Sequence, residues 1–430
     1  VTAADPQAPE WPSTDWWRGF GSTDLDAFIA EAQRANDDLR AAIARVQQAD
    51  AERRIAGAPL FPALAVSAQA TRARAAARPG GSYATANDFN PLLAASYQLD
   101  FFGRNRALYA AATASAHASR YDRTTVELTV MAGVATTYFQ ALELRDRLAI
   151  ADSNLANATR VLHGLEREQQ AGLATALDVA QQQTVVATVN AAIPPLRQQL
   201  RQSLDALAIL TGSTPEAVEV SNGGLDSLRQ PAVQPGVPSE LLTRRPDVAA
   251  AEAQLIAANA DIAAARAAIF PSINLTADGG YESSALATLL TPSSRIWSLG
   301  AGLAQPVFQG GALLGGYALA KAQYQELLAN YHKAVISALA NVEDALIAVQ
   351  QTTEQVSRQL EATEHARRAY RFAQAQMRAG TINVLTLLST ETTLFTAEDA
   401  LAQAKYARLQ SLVSLYQALG GGWRQQDERL

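Results

Sequence analysis

The four histidines of this 430-residue chain, His117, His163, His332 and His365, are its best candidates for acid–base or metal chemistry. Their spacing serves neither. No two form an HxxxH pair, which would put both imidazoles on one helix face around a metal ion. Glu361 and His365 lie one helical turn apart and could share a proton, but a solvated polar helix face explains them more simply. Gly300-Ala301-Gly302 and Gly315-Gly316 lack the spacing of a loop that cradles phosphate. Cysteine is absent, which removes disulfides, thiolate metal sites and cysteine nucleophiles together. Met131 and Met377 are the only methionines, too few for the thioether relay that copper or silver would use. An enzyme reading therefore finds little support, and no cofactor or metal is expected.

Two glycine turns are better functional candidates. Gln170-Ala171-Gly172-Leu173-Ala174-Thr175-Ala176-Leu177 recurs in kind as Arg378-Ala379-Gly380-Thr381-Ile382-Asn383-Val384-Leu385. Gly172 and Gly380 each follow a long helical stretch and precede another, as glycines at helix C-termini do. Any antiparallel helix pair needs such a turn, so the glycines alone do not establish a binding role.

The same offset of about 208 residues separates Ala58-Pro59-Leu60-Phe61-Pro62 from Ala267-Ala268-Ile269-Phe270-Pro271. A period this long exceeds a solenoid unit of about 20–50 residues and predicts two copies of one large supersecondary unit. Thr214–Pro238, with Pro215, Gly223-Gly224, Pro231, Pro235 and Pro238, separates the copies. Such composition breaks helices, so it is expected to connect the repeats, the alternative being a disordered linker. Arg244-Arg245-Pro246-Asp247 then opens the second copy, with Pro246 suited to a first helical turn and Asp247 to its positive dipole end.

From Gly103 to about Glu166, and from Leu313 to about Arg378, proline is absent and strong helix formers dominate. Apolar or small residues such as Leu339, Val342, Leu346, Val349, Thr353, Val356 and Leu360 alternate spacings of three and four, the coiled-coil period. Each helix is expected to be on the order of 100 Å long at 1.5 Å per residue. A spectrin-like rod would share this pattern. Four short segments argue against it, because each alternates an apolar face with a small, polar one. They carry Leu64 and Val66; Leu93, Tyr97, Leu99 and Phe101; Ile273, Leu275 and Tyr281; and Trp297, Leu299 and Leu303.

No run of about 18 apolar residues occurs, so no transmembrane helix is expected, but β-strands cross a bilayer with only half their residues apolar. Four strands cannot close a barrel alone, and lipid tolerates no open edge, so several chains would have to share one barrel. Aromatics at the segment ends, Phe61, Tyr97, Phe101, Tyr281, Trp297 and Phe308, suit an interfacial girdle against membrane lipid. The net charge of −6 is modest and the basic residues are dispersed, so no nucleic-acid partner is expected. The chain begins at Val1 rather than Met, as expected of a processed or trimmed product whose signal peptide is gone.

One ordered set of motifs is more specific. It runs through Leu241-Leu242-Thr243-Arg244-Arg245-Pro246-Asp247-Val248, Ala251-Glu252, Ala257-Ala258-Asn259-Ala260-Asp261-Ile262, Ala265-Arg266 and Phe270-Pro271-Ser272-Ile273. It continues with Gln305-Pro306-Val307-Phe308-Gln309-Gly310-Gly311 and ends on Tyr416-Gln417-Ala418-Leu419-Gly420-Gly421-Gly422-Trp423. Trp16-Trp17 and Ala35-Asn36-Asp37-Asp38-Leu39 fit the opening. In these residues, from about residue 10 to 424, the chain resembles the TolC-like outer-membrane factor family, in its branch of multidrug-efflux outer-membrane lipoproteins.

The resemblance implies an α+β membrane protein in the outer membrane of a Gram-negative bacterium. Three identical chains would give four strands each to a twelve-stranded β-barrel, continued by a twelve-helix periplasmic α-barrel with a mixed belt at its waist. Residues 1–210 would form the first repeat, with strands near 62–73 and 91–102 and helices near 104–168 and 174–211. An inter-repeat segment, 211–245, would cross the waist. Residues 246–424 would form the second repeat, with strands near 271–282 and 296–308, helices near 312–379 and 383–419, and a tail at 425–430. The implied role is a passive exit duct working with a periplasmic adaptor and an inner-membrane pump of the RND type. Members of this branch often begin with an acylated cysteine, so the resemblance leaves a lipid anchor ahead of Val1 as an open expectation.

The resemblance also assigns sites. Gly172, Leu173, Gly380 and Thr381 would form the helix-hairpin tips that ring the entrance and meet the adaptor. Leu177, Asp178 and Leu385 would lie at the periplasmic gate. Relatives commonly read L-x-L-L-D-A-Q-R where this chain reads Leu385-Thr386-Leu387-Leu388-Ser389-Thr390-Glu391-Thr392. Leu385 matches a hydrophobic gate, while Ser389 replaces the usual acid and Thr392 the usual arginine, which leaves the closing ion pair in doubt. Asp178 is either the acidic group of the mouth or an ordinary helix N-terminal carboxylate. Outside the branch, a soluble coiled-coil scaffold remains the alternative; within the family, so do type I secretion and metal-efflux ducts.

Overall fold

The structure, a computed structural model, describes residues 12–76, 83–221, 223–231 and 243–423. Val1, Pro235, Pro238, Leu241-Leu242 and the 425–430 tail lie outside the described residues. The described residues contain the α-helices α1 (Thr23–Ala35), α2 (Asp37–Gly57), α3 (Arg104–Gln170), α4 (Ala176–Thr211), α5 (Pro246–Ala267), α6 (Ala312–Arg378) and α7 (Val384–Ala418). Four strands accompany them: β1 (Ala63–Ala76), β2 (Tyr83–Leu99), β3 (Ser272–Tyr281) and β4 (Arg295–Ala304). Two compact units result, and each draws on both halves of the sequence. One comprises Val1–Ile43, Tyr121–Ala249 and Ala334–Leu430; the other comprises Ala44–Arg120 and Ala250–Lys333. Compactness therefore does not follow the expected division into 1–210 and 246–424.

The second unit holds the sheet. Its strand order is β1-β2-β3-β4, antiparallel throughout. Directly paired residues share a face, and the register collects the apolar ones on a single face across all four strands. Val66 pairs with Leu93 and Leu93 with Gly279; Leu64 pairs with Ala95, Ala95 with Ala277, and Ala277 with Leu299. Tyr97 pairs with Leu275, and Leu99 with Ile273, which pairs in turn with Leu303. The opposite face is polar and small: Ser96 pairs with Thr276 and Thr276 with Gly300, while the Ser298 hydroxyl donates to Asp278 at 3.0 Å.

Two strand ends differ from the sequence expectation. β2 starts at Tyr83 and stops at Leu99 rather than spanning 91–102, which leaves Phe101 outside it. The Asp100 carboxylate accepts the backbone N–H groups of Asn105 and Arg106, both at 2.9 Å, and so caps α3 instead of extending the strand. β4 ends at Ala304 rather than 308, because Pro306 has no N–H for a ladder. At 14 and 17 residues, β1 and β2 are longer than the expected membrane-crossing length of about 9–11 residues.

The first unit contains the largest core. Trp16 stacks on Tyr416 with ring centroids 4.9 Å apart, and Phe20 packs on Phe139 at the same distance. Leu25, Ile29, Leu142, Leu207, Leu409 and Leu412 complete it. Full burial of each such side chain is worth about 1.5–3 kcal/mol. Arg245 is buried in the same unit. Its guanidinium grips Asp247 through Nη2 at 2.6 Å and Nε at 3.0 Å, and donates to the carbonyl of Ala418 at 3.1 Å. The described part of the inter-repeat connection is anchored rather than loose. Asp24 accepts from the Ser221 backbone and hydroxyl, Asp146 from the Leu225 N–H, and Asp226 pairs with Lys405 at 2.6 Å.

Candidate functional site

In the first unit, α3 and α4 form one helix hairpin and α6 and α7 another. Both turn through the same backbone motif. The Leu173 N–H donates to the Glu168 carbonyl at 2.8 Å and the Gly172 N–H to that of Gln169 at 2.9 Å. The Thr381 N–H donates to Gln376 and the Gly380 N–H to Met377, each at 3.0 Å. This is the Schellman pattern, and it requires a left-handed residue. Gly172 and Gly380 supply it with φ of 75° and 70°. Leu173 is left 81% exposed, an apolar side chain at a turn with nothing of this chain to cover it.

The helices that leave the turns start differently. α4 opens on a capping box: the Asp178 N–H donates to the Thr175 hydroxyl oxygen at 3.2 Å, while the Thr175 N–H donates to Asp178 at 2.8 Å. The Thr175 hydroxyl also donates to this carboxylate at 2.7 Å. That hydroxyl, then the Thr175 N–H, holds the Asp178 carboxyl below the usual carboxylate range. The structure thus gives Asp178 a cap to make. α7 opens on Asn383, whose side chain accepts from the Thr386 N–H at 3.0 Å, with no acid in the first turn.

Leu177 and Leu385, at matching places after the turns, are both exposed. Leu385, Ser389 and Thr392 share one face of α7 and line an open groove of about 1100 Å³ with Thr386, Thr393 and Thr396. Their hydroxyls do not all point into it as free donors. Thr392 donates back to Leu388, Thr393 to Ser389 and Thr396 to Thr392, at 2.8–3.0 Å. The groove therefore presents largely methyl groups and carries no charge among these residues.

Behind that face sits a group that spacing alone does not reveal. Glu391 is fully buried, as is Gln182 of α4. The Tyr370 hydroxyl of α6 donates to Glu391 Oε1 at 3.3 Å, and Gln182 Nε2 donates to the Ala158 carbonyl of α3 at 2.8 Å. Burial pushes the Glu391 carboxyl up, against opposing hydrogen bonds from Gln182 and Tyr370. Burial first, then the Glu391 charge, pushes Tyr370 up to about 12. Glutamates are abundant on these helices, and only the burial pattern of α7, with Leu387, Leu388 and Leu394, marks this one.

In the second unit the aromatic residues fall at two levels of the sheet. Tyr281 and Trp297 lie where β3 ends and β4 begins; Phe61, Tyr97, Phe101 and Phe308 lie at the opposite ends of the strands or just beyond them. Trp297 and Phe308 are 78% and 87% exposed, so the rings face outward from this chain. Phe102 belongs to the second level, where it stacks on Phe270 at 4.8 Å, whereas Tyr83 begins β2 opposite Ala76, well beyond Leu92, the partner of Gly280. The sequence reading missed all three of these aromatics. The histidines stay apart from these features: His163 and His365 sit on exposed helix faces beside Glu166 and Arg368. Met131 is buried in the core, where its sulfur accepts from Gln33.

The model of the outer membrane efflux protein family matches the chain twice, at residues 28–213 and 237–421. The pyoverdine export outer membrane protein OpmQ of Pseudomonas aeruginosa PAO1 is 43% identical over 416 residues, covering 95% of this chain and 87% of its own. The cation efflux system protein CusC of Escherichia coli K12 is 32% identical over 98% of this chain and 91% of its own. Among solved structures, the outer-membrane channel OprN superposes with a TM-score of 0.92 at 29% identity, covering 98% of this chain and 95% of that one. With a matched family model over both halves, a sheet whose apolar face is bare and two open helix-hairpin turns, the chain belongs to the outer membrane efflux protein family.

Proposed function

We propose that three copies of this chain form the outer-membrane exit duct of a tripartite efflux system. The observation that carries the reading is the sheet: β1 and β4 are unpaired edges, and its apolar face is bare, with Val66, Trp297 and Leu299 each more than 70% exposed. Lipid accepts such a face but not such edges. Pairing β4 of one chain with β1 of the next closes a twelve-stranded barrel without edges. The aromatic levels then serve as interfacial girdles. The two matches of the family model support the two-repeat construction, with the connection at 211–245 as its equatorial belt.

The four helices α3, α4, α6 and α7 of each chain supply the periplasmic α-barrel. Gly172, Leu173, Gly380 and Thr381 dock the adaptor, which joins the duct to an inner-membrane pump of the RND type. Leu385 narrows the resting duct, with Leu177 and Asp178 at the same mouth; Ser389 and Thr392 line the passage without an ion pair. No catalytic step is assigned to the chain, because the pump supplies the energy and the duct conducts passively. Native mass measurement in detergent should give a homotrimer that inserts into planar bilayers and conducts. A stable, non-conducting monomer would overturn the reading.

A further inference from the structure

The apolar face of the sheet changes character along its length. Toward the helices it carries Leu64, Leu275, Leu299 and Leu303. At the other end it carries three arginines. Arg295 opens β4 opposite Tyr281, two positions from Trp297 and therefore on the same face. Arg72 and Arg74 follow Val66, Ala68 and Ala70 on β1 at the period of two, opposite Asn87 and Thr85 of β2. All three are exposed. The Arg74 guanidinium lies 5.4 Å from the centre of the Tyr83 ring, which helps to hold it on this face.

The strands place no carboxylate beside them. Their acids, Asp88 opposite Thr71 and Asp278 opposite Ser298, both fall on the other face. Cations and carboxylates are thus sorted to opposite sides of the sheet.

The arginines also stand at different distances from the apolar band. Arg295 is one position beyond the row of Ile296, Gly280, Leu92 and Ser67, level with Ala68. Arg72 and Arg74 lie farther along β1, by about 13 Å and about 20 Å at about 3.3 Å per residue. There the β1–β2 hairpin stands alone. β2 pairs with β3 only from Leu92 onward, and the bridge between Phe89 and Ser283 is its last support among the described residues. The helices attach at the opposite end: α2 leads into β1, β2 into α3, α5 into β3 and β4 into α6. In an outer-membrane protein whose helices are periplasmic, the arginines therefore face the outer leaflet.

We propose that Arg295, Arg72 and Arg74 bind lipopolysaccharide, the phosphorylated glycolipid of that leaflet, with Arg295 on lipid A phosphate and Arg72 and Arg74 on phosphates of the inner-core sugars. The proposal rests on the membrane placement of the sheet in the exit-duct reading. A phospholipid offers its anionic group at the headgroup level alone and leaves Arg72 and Arg74 without a partner. A glycolipid whose phosphates continue beyond the interface meets all three. The guanidinium fork suits phosphate, to which it donates two parallel hydrogen bonds. The patch is continuous with the apolar band, so one molecule can lay its acyl chains on the band and its phosphates on the arginines.

The test uses the full chain in detergent, fluorescently labelled and titrated at low salt. The ligands are lipid A, lipopolysaccharide with a phosphorylated inner core, and phosphatidylglycerol. The parent should bind the lipopolysaccharide most tightly and phosphatidylglycerol most weakly. Arg295→Gln should weaken both glycolipids about five-fold, the usual contribution of one basic residue at an anionic membrane surface. Arg72→Gln combined with Arg74→Gln should weaken lipopolysaccharide by about ten-fold or more and leave lipid A unchanged. A parent that binds phosphatidylglycerol as tightly as lipopolysaccharide overturns the proposal. So does a double variant that keeps the parent affinity for lipopolysaccharide, or one that loses lipid A equally. Inorganic phosphate that displaces lipopolysaccharide at matched ionic strength would assign the patch to a free anion and overturn it too. If the double variant does not fold, the single variants carry the same expectation at about five-fold each. Conductance separates this proposal from the duct. A conducting trimer without lipopolysaccharide binding sinks the proposal and keeps the duct, while a bound chain that neither trimerises nor conducts does the reverse.

Discussion

The two helix hairpins of the first unit turn alike and begin again differently. Gly172 and Gly380 sit in the same left-handed conformation with the same pair of backbone hydrogen bonds. Beyond them, α4 starts on Thr175 with Asp178 and α7 on Asn383 with Thr386. Backbone geometry dictates the glycine, because no other residue enters the left-handed turn cheaply. A cap needs only an oxygen within reach of the second or third N–H, so its chemistry is free to vary. The hairpins use that freedom to separate charge. The first keeps an ionised carboxylate on its outside, and the second has a neutral face outside and a carboxyl buried behind it.

The largest expected effect tests whether both turns dock a partner. Leu173→Trp and Thr381→Trp should each abolish efflux-dependent resistance while trimers still reach the outer membrane, measured by growth in drug and by immunoblot of membrane fractions. Loss in one variant alone would make docking the task of one hairpin. Unchanged resistance in both would return the turns to plain connections.

Conductance should then distinguish the exposed leucines. Leu385→Ser replaces a water-excluding side chain at the start of α7 and should raise single-channel conductance several-fold, since hydrophobic constrictions close pores by dewetting. Leu177→Ser should do less, because Asp178 already hydrates its surroundings. Equal effects would place the constriction on both hairpins, and no effect from Leu385→Ser would move it to the level of Asp178.

Much of this comparison can be read in the sequence, and the remainder depends on three-dimensional packing. The turns are legible because glycine has a backbone meaning, and the strands because alternation has a period of two. The register that brings Leu64, Ala95, Ala277 and Leu299 into one row is not legible, since it joins strands more than 170 residues apart. Phe101 is misread as a strand residue because Asp100 continues the alternation in type while its carboxylate caps α3. Glu391 escapes notice because burial, not residue type, makes it unusual, and its partners Gln182 and Tyr370 come from other helices.

A smaller effect should come from restoring charge to the neutral face. Ser389→Asp with Thr392→Arg places opposite charges on the exposed face of α7, three residues apart and within pairing distance on a helix. Exposed pairs of this kind are worth about 0.2–1 kcal/mol and are screened by salt. The double variant should therefore conduct less at low ionic strength and approach the parent at high salt, while the parent changes little beyond bulk conductivity. A parent already strongly salt-dependent would mean that Asp178, on the other hairpin, governs the mouth.

The smallest effect separates the caps themselves. Thr175→Ala and Asn383→Ala each remove a cap oxygen and should each cost about 1 kcal/mol locally, seen as faster hydrogen exchange in the first turn of α4 or α7. Their acid responses should differ. Asp178 has its carboxyl held low by Thr175, so its contribution is present above the ordinary carboxylate value and fades as pH falls through the lowered one. The start of α4 should thus fray below about pH 4 in the parent, by comparison with model-peptide exchange at the same pH. Thr175→Ala, which has lost the donor holding that carboxyl low, should fray at higher pH. The Asn383 cap does not titrate, so the start of α7 should hold through the same range. If both helix starts fray together in acid, the caps do not act independently, and the separation of charge between the hairpins loses its simplest measurable consequence.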